Sequence, residues 1–239
     1  MSDTRTPRGL DAIAAMFART RAQNRAAFMP YFTIGYPTFE DSLAMIEDAA
    51  ASDVDAFEIG VPFSDPLADG PVLQAAAQTA LENGVTLSKV LEGIAMLRAR
   101  GVSQPMFIFS YLNPLMAYGT ERIVIDAKAA GADGFIIPDL PPEEADLFAA
   151  CERENMARVF FLAPTSSPNR FELVGQRATG FVYVVSVTGI TGARSELPED
   201  LTAFIARVRA ATDKPLVLGF GISKPEHARM MNGMMDGFI

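Results

Sequence analysis

The sequence predicts an α/β chain wound into a closed eight-stranded barrel, the (β/α)8 or TIM-barrel architecture, and three observations carry that expectation. Eight short apolar runs bounded by turn residues alternate with amphipathic helical stretches along the chain, more strands than the roughly five or six of an ordinary open doubly wound sheet. An Asp-X-Phe echo opens three of those runs, at Asp55-Ala56-Phe57, Asp133-Gly134-Phe135 and Asp236-Gly237-Phe238, as repeated βα units would. No G-x-G-x-x-G follows the first strand, which removes the main support for a dinucleotide-binding fold.

Taken in order, a helix over 10–20 precedes the first strand and is placed to plug the barrel's lower end. Strands are expected at 28–34, 56–60, 105–111, 134–138, 157–163, 181–187, 215–219 and 237–239, each short, apolar and closed off by turn residues. Helices are expected at 39–51, 72–81, 87–100, 121–130, 143–154, 169–178, 199–211 and 225–232, where apolar residues recur at helical spacing. The longest interruption, 189–198, follows the sixth strand and has the composition of a mobile lid or of a plain connector.

With 239 residues, 49% of them hydrophobic, the chain has material for a large core and is read as one domain over 1–239. A formal charge of −9 without any Lys/Arg cluster argues against nucleic acid or an anionic membrane as partner. A phosphorylated ligand would therefore need a local site built from backbone N–H groups. The single cysteine, Cys151, excludes an internal disulfide and reads as a buried or half-buried thiol, in keeping with a reducing compartment. The first residues lack a signal-peptide core, and no run approaches eighteen apolar residues, so a soluble, cytoplasmic protein is expected.

His227 is the only histidine. Ser-His-Asp triads, Cys-His pairs and multi-His metal sites lose their ground, no metal site is expected, and His227 itself reads as a surface residue. Acid–base work falls to carboxylates, tyrosines or lysines. The most informative of these is Glu58, a carboxylate inside the second strand, where an ionised group is expensive unless paired, neutralised or used. Period-two geometry puts it on one face with Ala56 and Gly60, opposite Phe57 and Ile59. The loop that follows, 61–71, carries Asp65 and Asp69 at the strand's carboxyl end, where barrel ligands sit. The competing reading is a structural glutamate bonded to a neighbouring strand or a lysine. Asp69, just before Gly70-Pro71, is also suited to capping the helix that begins there.

The seventh strand runs into Gly219-Phe220-Gly221-Ile222-Ser223 and a helix start at Lys224-Pro225, a place where glycines and a helix amino end can hold a phosphate. Gly189 and Gly192 are further candidate donors. Plain tight turns would use the same glycines.

Glu58 to Pro71, E-I-G-V-P-F-S-D-P-L-A-D-G-P, resembles the most specific motif of the tryptophan synthase alpha subunit family. Pro30 to Pro37, Tyr111 to Pro114, Pro138 to Pro141, Ser186 to Arg194 and Gly219 to Ser223 match the same family in the same order. The resemblance implies retro-aldol cleavage of indole-3-glycerol phosphate to indole and glyceraldehyde 3-phosphate in tryptophan biosynthesis, with no cofactor in this subunit. It implies Glu58 as acid–base group and Asp69 as the carboxylate at the indole N–H. By the same match Thr191 is the lid residue that meets Asp69, Tyr183 lies near Glu58, Tyr31, Phe220 and Ile222 line the indole pocket, and Gly192, Gly219 and Gly221 belong to substrate binding.

The implied partner is a pyridoxal-phosphate-dependent beta subunit in an α2β2 complex, with Asp65, Pro66, Asn113, Pro114 and Asp139 as interface candidates. Family members continue past the position of Ile239 through a Gly-Ser segment and a final helix, so the sequence reads as stopping within strand eight. A non-catalytic regulatory subunit, or another phosphate-binding barrel enzyme such as an isomerase or a different aldolase, remain as alternatives.

Overall fold

Proline at position 30 has no N–H to give to a ladder, and the first expected strand is accordingly split in two. In the computed structural model, which describes residues 7–185, 199–219 and 224–239, β1 (Ala27–Phe28) pairs in parallel with β9 (Gly237–Phe238), while β2 (Tyr31–Thr33) pairs in parallel with β3 (Phe57–Gly60). Between them lie β4 (Met106–Phe109), β5 (Gly134–Ile136), β6 (Ala157–Leu162), β7 (Val182–Val185) and β8 (Leu216–Gly219), all parallel, in the order β1-β9-β8-β7-β6-β5-β4-β3-β2. Because only Met29 and Pro30 separate β1 from β2, the two ends of that order are halves of one stave. The sheet closes as the expected eight-stave barrel.

Helices alternate with the strands: α1 (Leu10–Ala22), α2 (Phe39–Ala50), α3 (Pro71–Glu82), α4 (Leu87–Ala99), α5 (Leu112–Tyr118), α6 (Thr120–Ala130), α7 (Ala150–Arg153), α8 (Pro168–Arg177), α9 (Glu199–Ala211) and α10 (Pro225–Met231). Thr38, Thr86 and Ser167 cap α2, α4 and α8 by accepting the N–H of Asp41, Lys89 and Arg170, satisfying donors that have no partner within the helix.

Strand alternation sorts the apolar residues into two cores. Outward side chains such as Phe57, Ile59, Ile108, Phe135, Phe160 and Leu218 meet the helices. Inward ones, Ala56, Phe107, Phe109, Ile136, Val159, Phe181 and Val217, fill the barrel, and Ile13, Met16 and Phe17 of α1 join them. Helix α1 is thus the plug at the base that the sequence suggests.

The Asp-X-Phe echo has a structural cause. Ahead of β3, the Asp55 N–H donates to the Phe28 carbonyl, and the Asp55 carboxylate accepts the Phe28 N–H. Asp133 repeats the exchange with Met106, Asp236 with Leu216, and Thr179, through its hydroxyl, with Arg158. Every second stave is locked to its predecessor by one reciprocal side-chain clamp. Arginines neutralise the three carboxylates: Arg19 and Arg25 at Asp55, Arg98 at Asp133, and Arg21 and Arg209 at Asp236.

Three expectations need correction. Residues 112–118, where no helix is expected, form α5, with Pro114 in its first turn, where a missing N–H costs nothing. The helix expected over 143–154 is instead a 3-10 segment, Pro142–Phe148, kinked at Glu144, followed by the short α7. Its Ala145 and Phe148 carbonyls accept from the buried Arg158 guanidinium, which reaches outward from β6. His227 is buried, not on the surface, because it shares with Met231, one turn later, the face of α10 that packs inward. Cys151 is buried as expected, and burial pushes its thiol up to about 12.

Among the described residues no helix is long and apolar enough to cross a membrane, and no cluster of three metal-ligating side chains occurs.

Candidate active site

Glu58 sits at the middle of β3 with Tyr31 of β2 and Phe107 of β4 as its neighbours in register. Ala56 below it faces the barrel interior while Phe57 and Ile59 face the helices, so the carboxylate projects inward. It is 2% exposed, and its Oε1 has no hydrogen-bond partner among the described residues. Burial first, and then the charge of Asp69, hold this carboxyl well above the usual carboxylate range. Among the described residues, no lysine and no group of a neighbouring strand bonds Glu58 Oε1, as the structural reading of this glutamate would require.

Two tyrosines flank it. Tyr31, whose ring meets Phe109 edge-on with centroids 5.5 Å apart, occupies space that exists only because Gly60 has no side chain: a Cβ there would overlap the phenol. Tyr183 stacks on Phe161 at 4.5 Å and lies over Gly219 in the same way. Both phenols are raised, by burial above all and also by the charges of Glu58 and Asp69, which places the four groups in one field at the carboxyl end of the barrel. Gly219 therefore makes room for a tyrosine; whether its neighbours hold an anion turns on Phe220, Gly221 and Ile222, which lie outside the described residues.

Asp69 is half-buried in the loop after β3. It does not cap α3: the N-cap residue is Gly70, and no side chain bonds there. Tyr111, just beyond β4, lies beside it: its hydroxyl accepts the Ala68 N–H at 2.8 Å and holds the Asp69 carboxyl down. Burial raises the Asp69 carboxyl and the tyrosine bond works against that rise. Sequence reasoning gave Tyr111 no role; its position two residues past the third stave, beside the loop that bears Asp69, was the available signal.

The interface candidates lie around the same mouth. Asp65, Asn113 and Asp139 are exposed, with Pro66 and Pro114 partly so, on the loops after β3 and β5 and the start of α5. Asp139 accepts the Leu112 N–H at 2.8 Å, joining two of those segments. Leu67, Val72 and Met116, all largely exposed, add an apolar element nearby in the chain. Thr191 and Gly192, like the whole stretch 186–198, lie outside the described residues.

An inward carboxyl raised well above its ordinary range, a second carboxylate on the neighbouring loop and aromatic rings around them can transfer a proton to and from an apolar, aromatic ligand. Comparison with known proteins points the same way. Residues 17–239 match the profile of the family described as tryptophan synthase alpha chain. The tryptophan synthase alpha chain of Chloroflexus aggregans is 46% identical over 231 residues, covering 96% of this chain and 86% of that one. That of Roseiflexus castenholzii is 50% identical over 234 residues, covering 96% and 88%. A structure of Mycobacterium tuberculosis tryptophan synthase superposes with a TM-score of 0.88 at 35% identity, covering 95% of this chain and 87% of that one. By family profile, sequence and fold together, the chain belongs to the tryptophan synthase alpha chain family.

Proposed function

We propose that this protein cleaves indole-3-glycerol phosphate to indole and glyceraldehyde 3-phosphate, with Glu58 as the acid–base group and Asp69 as the carboxylate facing the indole N–H. The observation that carries the reading is the inward Glu58 carboxyl, whose Oε1 has no partner among the described residues and which burial and the Asp69 charge hold well above the usual carboxylate range. A protonated Glu58 gives its proton to indole C3, and the resulting cation spreads to N1, where Asp69 stabilises it. The carboxylate left on Glu58 then takes the proton of the C3′ hydroxyl as the C3–C3′ bond breaks. Its electrons return to the indole ring, and the C3′ oxygen becomes the aldehyde. One proton moves from oxygen to carbon, and no redox step is needed.

Support for Tyr31 and Tyr183 as walls of the indole pocket comes from their rings, which bracket Glu58 above glycines that leave them room. Thr191 and Gly192, and Phe220, Gly221 and Ile222, carry their roles in lid, pocket and phosphate binding from the motif match alone. We further read the exposed rim of Asp65, Pro66, Asn113, Pro114 and Asp139, with Leu67 and Met116, as the docking face for a pyridoxal-phosphate-dependent beta subunit in an α2β2 assembly. Placing that face at the reaction mouth would let indole pass directly to the partner. A metal-free assay of indole release from indole-3-glycerol phosphate, alone and with a beta subunit, tests the reading. Release that rises with the partner supports it, and none under either condition defeats it.

A further inference from the structure

We infer that Tyr111 is a positioning residue for Asp69: it fixes the loop after β3 so that the carboxylate meets the reacting ring in one orientation. The inference rests on the reading of Asp69 as the group at the indole N–H. Three contacts carry it, and each joins Tyr111 to a different part of the loop. Its ring packs on Phe63 with centroids 5.5 Å apart. Its oxygen accepts the Ala68 N–H at 2.8 Å, one residue before Asp69, and the phenol stands close enough to the Asp69 carboxyl to lower it. The residue next to it, Leu112, is held in turn by Asp139, so the strut stands on two neighbouring staves. A loop rich in Pro and Gly has little intrinsic order at its tip, and a buried anchor at the end of β4 supplies what the loop lacks.

The chemistry of the phenol suits that task. Burial pushes Tyr111 up to about 12, so it stays a donor throughout the neutral range. Donation to the ionised form lowers Asp69, against the burial that raises it. Among the described residues, the other titratable groups facing this pair are Tyr31 from β2, Glu58 from β3, Tyr183 from β7 and Asp139 from the loop after β5. All of them are acids, and none supplies a positive charge that would take over from Tyr111.

Tyr111→Phe deletes the hydroxyl and keeps the ring. In indole release, kcat/KM should fall about tenfold or more, with the acid limb of its pH profile displaced to higher pH because Asp69 then ionises less readily. Tyr111→3,5-difluorotyrosine, a stronger donor of nearly the same shape, should displace that limb the other way. Affinity for the uncleavable analogue lacking the C3′ hydroxyl gives a cycle that needs no turnover: the Phe substitution should cost several-fold in the native background and less than about twofold in Asp69→Asn. Equal costs in the two backgrounds, or an acid limb that neither variant moves, would overturn the inference. An Asp69→Asn protein of nearly full activity would instead remove the role of Asp69 itself, a separate outcome.

Discussion

At the scale of the residue, Glu58 combines two properties that oppose each other. Its Oε1 is buried without a partner among the described residues, a cost to the fold, and the same burial holds the carboxyl well above its ordinary value, as the proposed proton transfer requires. Glu58→Gln should lower indole release by about a hundredfold to ten-thousandfold, the usual range for general acid–base groups, while the substrate analogue still binds; titration calorimetry beside the kinetic assay checks both halves. The same substitution has a stability signature. The folded value of Glu58 lies above its ordinary 4.5. Its contribution to stability is therefore complete below that value and is lost as pH rises toward the folded value. The melting temperature of Glu58→Gln relative to the native protein should thus climb over the pH window that opens at the ordinary value of 4.5 and runs up toward the raised folded value. A difference that stays flat across that window would mean that the carboxyl is not held protonated.

At the scale of the element, the reciprocal clamps set the stability of neighbouring staves. Asp133 is wholly buried, accepts the N–H groups of Gly9 and Met106, and pairs with Arg98 at 2.6 Å. Asp133→Ala leaves a guanidinium and two N–H groups buried without an acceptor. It should cost about 3–5 kcal/mol in denaturant unfolding, the range for breaking a buried pair; a loss under about 1 kcal/mol would show that water or a shifted strand replaces the clamp. Much of this scale was legible in advance. Apolar runs with turn borders located every stave, and the Asp-X-Phe echo marked three of the four clamps, Thr179 being hidden by its different side chain. Proline misled once: Pro30 broke a strand that its apolar neighbours had suggested was continuous, whereas Pro114 sits in the first turn of α5 without disturbing it. The 3-10 turn before α7 depends on Arg158, more than one element away in sequence, so no local pattern could announce it.

At the site, the residues that a strand's period fixes, Glu58 above all, were readable because one strand determines them. Tyr111 was not, since its role depends on a loop forty residues earlier folding back onto it, as the 43-residue separation of the Ala68 bond records. Asp69 was readable as a carboxylate near the mouth, but its choice of Tyr111 over the helix start is a tertiary matter.

At the scale of the molecule, the two ends of the barrel carry different work. The base is sealed by α1 and its arginine–aspartate clamps; the mouth holds Glu58, Asp69 and the exposed rim. Leu67, at 93% exposure, contributes nothing to either core. Leu67→Asp should therefore leave the melting temperature of the isolated subunit within about 1 °C, as expected for an exposed site, while weakening its association with a beta subunit in analytical ultracentrifugation. Unchanged association would move the docking face elsewhere.

The divided first stave also dictates when the barrel can be finished. Ala27 finds its lateral partner in Gly237, so on the ribosome this strand waits until a segment some two hundred residues further along, that of Gly237, has been translated. Until then only its Tyr31–Thr33 half has a mate, and the Ala27–Phe28 half stays an open edge, a template for pairing with other chains. Ring closure is in this sense a late, long-range event set by topology, and crowding by other nascent polypeptides matters most in the interval before it.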